Sequence, residues 1–421
     1  MKRVTLILIT LILIFPSLLK AEEIPLTLDE AISIALRDNR DILLKSEEIK
    51  KAKAKIAEAR SGLLPALSFT GGWTDTRGLY SKDSGQTSTQ AGVKQILYKG
   101  GKIINTIRYS EYGVEIAQAV LDEVKLEILL NVKKAFYTFL LAQEFSHLNK
   151  KIVDNTRAHI EMIEIRYKNG QVSHSDVLRI QEALASVEEA YEASLNQTES
   201  ILSLLKNLLY LEEKVNLGPI GEFTYEPREV AYDEGFLKAM KTRPEIRQYE
   251  AQSKAAQKAI AIAKADSRPS IYASWDHYSR SHTTGLTGVA RNWNDYNVIG
   301  LTFSWPIFDG WATKAKVEQA IVDLKETQLM REKTVKDIAL ELKNAYLDLK
   351  NAIAKIKSTQ AEVDLYKDTL SVTQEKYQAG IASSLELDDV SLGYAVSSFN
   401  QKLAGYDYIL AKARFDKATG E

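Results

Sequence analysis

Two periodicities divide this chain. From Ala66 apolar residues recur at every second position, so Leu67, Phe69 and Trp73 share one face and Ser68, Thr70 and Thr74 the other. The alternation returns downstream. Ile271, Ala273 and Trp275 alternate with Tyr272, Ser274 and Asp276, and Ile299, Leu301, Phe303 and Trp305 with Gly300, Thr302 and Ser304. A less clean strand runs from Ala91 to Tyr98. Elsewhere the spacing is helical. A run from about Lys102 to Lys168 holds no proline and, after Gly113, no glycine; a second, from Trp311 to Ala379, holds neither. At about 1.5 Å per residue each would be a helix roughly 100 Å long. Ordinary helices average about 11–12 residues, so these must be rods packed along similar rods.

Both rods end the same way. RYKNGQVSHSDVL, Arg166 to Leu178, and KYQAGIASSLEL, Lys376 to Leu387, each place a basic residue and a tyrosine before a glycine, Gly170 or Gly380. Glycine reaches the left-handed conformation that stops a helix. Ser173 with Asp176 and Ser383 with Glu386 then have capping-box spacing, in which serine and carboxylate satisfy each other's backbone N–H groups. Both stretches therefore predict tight helical hairpins.

The whole layout is duplicated. Thr27 and Glu30 open a helical region over 27–61, ended by Pro65; NRDI at Asn39–Ile42 is echoed by RPEI at Arg243–Ile246, and Pro65 by Pro269. Tyr98-Lys99-Gly100 corresponds likewise to Phe308-Asp309-Gly310. The first repeat spans 22–216: a helix, two strands within 66–98 around a polar loop at about 77–89, the rod over 102–168, the hairpin and a helix over 175–210. The second spans 217–421: a connector reaching about 235, a helix over 244–266, two strands within 270–306 around a polar loop at about 279–294, the rod over 311–378, the hairpin and a helix over 384–419.

Composition narrows the setting. The chain has 421 residues, a formal net charge of −1 and no cysteine. A balance so near neutral gives no basic excess for phosphates, so nucleic acid is not an expected partner. Without cysteine there are no disulfides or thiolate metal sites, and the five histidines form no metal-ligand spacing. Lys2 and Arg3 before the apolar run Val4–Leu19, with Ala21 ahead of Glu22 and Glu23, read as a signal peptide over 1–21. No later run reaches the roughly 20 apolar residues of a spanning helix, so any membrane crossing must be made by strands.

Strands span a bilayer only as a closed barrel. Lengths near 10 residues and aromatics on the apolar face suit a lipid-facing wall. Four strands cannot close around a lumen, because barrel diameter grows with strand number. Three copies would give 12 strands. The competing reading is a non-transporting structural coiled-coil protein of the cell envelope, which leaves the leader and the amphipathic strands unexplained. A general diffusion porin has no use for such rods. No nucleophile elbow, phosphate loop or metal spacing suggests an enzyme, and no cofactor is expected.

The duplicated strand–loop–strand units, long helices and RYxxG-type hairpins resemble the TolC family of outer-membrane efflux proteins, the outer membrane factors, over about residues 24–421. The resemblance implies a mainly α protein with a membrane β-barrel portion. In it a homotrimer forms a 12-stranded barrel in outer-membrane lipid, and antiparallel coiled-coil helices form an α-barrel across the periplasm. It implies partners too: a periplasmic adaptor (membrane fusion) protein and an inner-membrane pump or ABC exporter, in tripartite efflux or type I secretion. The chain departs from many members in lacking an N-terminal lipid-acceptor cysteine. By the same resemblance Asp176 and Glu386 match acidic positions near the tunnel entrance, and Glu386 with Asp389, on one helix face, would line the constriction. A plainer role for the two acids at the helix starts is capping. Arg166 with Tyr167 and Lys376 with Tyr377, beside Gly170 and Gly380, are the candidate latch and adaptor contact. His147, His159, His174, His277 and His282 carry no assigned role.

Overall fold

The structure, a computed structural model, describes residues 24–79, 82–226, 230–283 and 292–421. The expected leader lies outside the described residues. The first half comprises β1 (Ile24–Leu26), α1 (Leu28–Asp38), α2 (Arg40–Ser61), β2 (Ala66–Leu79), β3 (Lys82–Lys99), α3 (Lys102–Lys168) and α4 (His174–Leu208). The second comprises β4 (Leu217–Pro219), α5 (Tyr232–Thr242), α6 (Pro244–Ala265), β5 (Ser270–Thr283), β6 (Trp293–Ser304), α7 (Ala312–Gln378) and α8 (Ser384–Thr419).

The long strands form one antiparallel sheet in the order β2-β3-β5-β6. Its register carries the sequence alternation across all four: Leu67 faces Val93, Val93 faces Trp275, and Trp275 faces Ile299. The next row is polar, with Ser68, Gly92 and Asp276 in line. Exposure runs opposite to that of a water-soluble protein. On the apolar face Ile299 is 84% exposed and Leu67 80%, whereas Tyr278, Arg280 and Tyr296 on the polar face are more covered, Tyr296 at 39%. An apolar face left this open is a lipid-facing surface in search of its solvent. Among the described residues β2 and β6 each keep one edge without a partner strand.

Two expectations need correction here. The polar stretch at 77–89 is strand at each described residue, with β2 running to Leu79 and β3 starting at Lys82. Of the stretch at 279–294, 279–283 continue β5 and 293–294 open β6, while 284–291 of that expected loop lie outside the described residues. Ser, Thr and Gly keep the backbone ladder intact, because ladder hydrogen bonds need no apolar side chain. The connector is also more ordered than its composition suggests. Its β4 pairs in parallel with β1, and α5 begins at Tyr232.

Below the sheet the helices lie side by side in two levels. Nearer the strands α3 packs on α2 and α6, and α6 on α7; farther away α3 packs on α4 and α8, and α8 on α7. Each level is four helices wide and open at both lateral edges. Where the levels meet, Phe136, Leu205 and Leu209 anchor one core, and Leu342, Leu349 and Tyr408 the other. Among the described residues no helix is long and apolar enough to cross a membrane.

Candidate functional site

The end of the molecule farthest from the sheet is made by the two hairpins. In the first, Gly170 has φ +71°, its N–H donates to the Tyr167 carbonyl at 2.9 Å, and the Gln171 N–H donates to the Arg166 carbonyl at 2.9 Å. In the second, Gly380 has φ +72°, with Gly380 to Tyr377 at 3.0 Å and Ile381 to Lys376 at 2.8 Å. This crossed pair is the Schellman stop, which satisfies the carbonyls left free at a helix end. The basic residue and tyrosine of each motif thus supply backbone acceptors, and their side chains are exposed.

The returning helices start differently. At Ser173 the box is reciprocal. The Ser173 N–H donates to Asp176 Oδ2 at 3.0 Å, its Oγ at 2.7 Å, and the Asp176 N–H returns to Ser173 Oγ at 3.3 Å. Those hydrogen bonds, side chain first and backbone second, hold the Asp176 carboxyl below its ordinary pKa. At Ser383 only half of the expected box forms: the Glu386 N–H donates to Ser383 Oγ at 3.1 Å, and the Glu386 carboxylate does not return. The Glu386 side chain is exposed instead of folding back, although Glu30 closes the same kind of box with Thr27 at the start of α1.

Asp389 is placed where nothing in the local sequence suggests. Its Oδ1 lies 3.3 Å from Nε2 of His159, so the first rod and the last helix meet through a charge-capable pair. The approach is ionic in distance but not aligned as a hydrogen bond, and His159 Nε2 is buried without one. The sequence showed His159 only as one polar position on a long rod. Tyr167 lies against the His174 ring, centroids 5.6 Å apart. Among the described residues no ion pair or side-chain hydrogen bond engages Arg166, Lys376 or Tyr377. The structure therefore brings Asp389 to His159, commits Asp176 to a cap and sets Tyr167 against His174. Among the described residues it leaves the side chains of Arg166, Lys376, Tyr377 and Glu386 without a hydrogen bond or ion pair.

The sheet-to-rod junction is held more firmly. Asp266 bonds Lys102 at 2.6 Å and approaches Lys316 at 3.3 Å, and these cations, Lys102 foremost, lower its carboxyl pKa. One carboxylate so pins the starts of both rods.

A sheet with an exposed apolar face, set on a row of long rods, is the fold of a membrane channel component. The chain belongs to the outer membrane efflux protein family, whose profile matches residues 31–209 and 237–421, once for each repeat. Its function is that of an outer-membrane efflux channel. It is 22% identical to nodulation protein T of Rhizobium leguminosarum bv. trifolii, covering 86% of this chain and 78% of that protein. It is also 22% identical to the outer membrane protein TolC of Escherichia coli strain K12, covering 90% and 80% respectively. Among solved structures it is similar to the Campylobacter jejuni CmeC outer membrane channel, with a TM-score of 0.76, 17% identity, and coverage of 93% of this chain and 85% of that one.

Proposed function

We propose that three copies of this chain close into one duct, sheet edge to sheet edge and rod to rod, conducting cargo from the periplasmic side to the exterior. The observation that carries this reading is the pair of open edges at every level. Four strands with free edges at β2 and β6 become 12 in a trimer, and four helices per level become 12. Eight strands, from a dimer, would be filled by their own side chains. The lateral helix α7 also leaves Leu340 61% and Leu365 66% exposed, apolar surface suited to a neighbouring copy.

In this assembly the hairpins converge at the inner entrance. Glu386 and Asp389 form rings of carboxylates that favour cations while the entrance is narrow. Asp176, already engaged as a cap, adds fixed negative charge nearby. Arg166, Tyr167, Lys376 and Tyr377 are the groups that hold adjacent hairpins together and exchange those bonds for bonds to a periplasmic adaptor, with an inner-membrane pump or ABC exporter supplying the energy. Gly170 and Gly380 let the turns narrow to a tip.

The chain lacks cysteine, so a disulfide test is clean. One cysteine at an edge position of β2 and one at a facing position of β6 should yield covalent trimers on oxidation. Oxidised chains that remain monomeric would remove the trimer. In planar bilayers, Asp389→Asn should raise conductance and weaken cation preference, and unchanged selectivity would remove the acidic ring.

A further inference from the structure

The polar face of the sheet holds a second charged station that the hairpin chemistry does not use. Tyr278 and Tyr296 are direct cross-strand partners on β5 and β6. Their rings stack 5.1 Å apart at an interplanar angle of 15°. Arg280, two residues along β5 on the same face, lays its guanidinium over both, 5.2 Å from the Tyr278 centroid and 5.5 Å from that of Tyr296. Its Nε is buried without a hydrogen-bond partner, and among the described residues no carboxylate pairs with it.

The other charges on this face follow a consistent pattern. Lys94 sits over the Tyr272 ring, 3.9 Å from its centroid. Asp276 accepts from Gln90 Nε2 at 2.9 Å, so its charge is answered by a neutral amide and it does not neutralise either cation. A cation seated on an aromatic face is oriented by the ring quadrupole and keeps its charge. A guanidinium seated on the rings in this way still offers N–H groups as a planar fork for a carboxylate or sulfonate, which a carboxylate partner would have occupied.

Position adds meaning. Arg280 lies ten residues beyond the start of β5 and three before its end. At roughly 3.4 Å per residue that is about 34 Å along the strand, near the end opposite the rods. We propose that Arg280, seated on the Tyr278–Tyr296 pair, is an anion-binding station in the barrel lumen near the outer mouth, taking organic anions that carry a carboxylate or sulfonate. The inference rests on the trimeric duct, in which the polar face lines the lumen and three copies of Arg280 form a ring. The duct then has an acidic entrance and, beyond the ring of Asp276, a basic and aromatic station toward the outlet.

The test is side-specific block of single channels in planar bilayers. A naphthalene trisulfonate or hexacyanoferrate added to the outer side blocks the wild-type channel. In Arg280→Gln both blockers lose about tenfold or more in affinity, the worth of one charge-assisted contact. Arg280→Lys retains block by hexacyanoferrate and loses more with the planar sulfonate, because an ammonium offers no flat fork. A conducting channel that neither anion blocks from the outer side, or whose block ignores Arg280→Gln, overturns the station alone. A chain that inserts yet never conducts overturns the duct and the station with it. Unit conductance of the variants reports that they assembled.

Discussion

At the first hairpin Ser173 and Asp176 satisfy each other, and Tyr167 leans on His174; at the second, Ser383 caps α8 while the Glu386 carboxylate stays free. The backbone stop is the same in both, down to matching φ values at Gly170 and Gly380. The duplicated turn is therefore fixed by main-chain hydrogen bonds, and the side chains that finish it have been free to diverge. One hairpin ties its acid into a cap, and the other presents its acid outward, while the two tyrosines are equally exposed.

The same contrast appears at the elbows above. Asn39 ends α1 and caps α2, its Oδ1 accepting from the Asp41 N–H at 2.9 Å and its Nδ2 donating to the Leu208 carbonyl at 3.3 Å. The matching position in the second repeat is Arg243, buried, donating to the Lys417 carbonyl at 2.9 Å and to Glu245 and Glu341 at 2.7 Å each. A neutral cap serves the first repeat, and a charged knot serves the second.

The largest effect should come from breaking that knot. Arg243→Ala leaves Glu245 without its cation and Glu341 with only Lys417, 3.7 Å away, and should destabilise by about 3 kcal/mol, toward the lower range for partly buried pairs. Asn39→Ala should cost about 1 kcal/mol, the usual loss of a helix cap. Denaturant unfolding of the purified protein compares them, and equal costs would erase the distinction between the elbows. Gly170→Ala and Gly380→Ala should each cost about 1–2 kcal/mol, because both force a Cβ into the left-handed region. A clear inequality between the two would show that the turns are not energetic equivalents. Ser173→Ala should cost about 1 kcal/mol, and Ser383→Ala less, since only half a box is lost there.

The smallest effect is one of pH. Hydrogen bonds lower the Asp176 pKa, so its contribution to the first hairpin is complete above the ordinary aspartate value and fades as pH falls through the lowered one. Amide exchange at the start of α4 should therefore quicken in acid more than at the start of α8. Identical acid profiles for the two helix starts would contradict the half-formed second box.

Much of this was written locally. Strand alternation, glycine-free rods, prolines at matching offsets and a glycine at each hairpin depend on side-chain period and backbone sterics, which neighbours in sequence decide. The full length of the strands was not legible, since Ser88, Thr89 and Thr283 look like loop residues until a ladder partner lies beside them. Nor was the second cap, where the same spacing at Ser383 gives a different hydrogen-bond pattern.

What only the tertiary structure decided are the meetings of residues far apart in the chain. His159 reaches Asp389, and Arg243 gathers Glu341 and the end of α8, because α3, α6, α7 and α8 pack side by side. Arg280 covers Tyr296 because one strand register sets β5 beside β6. Period and propensity act over a few residues and so are visible in a linear text. A charge finds its partner through the packing of whole rods and strands, a balance over hundreds of contacts that no short stretch records.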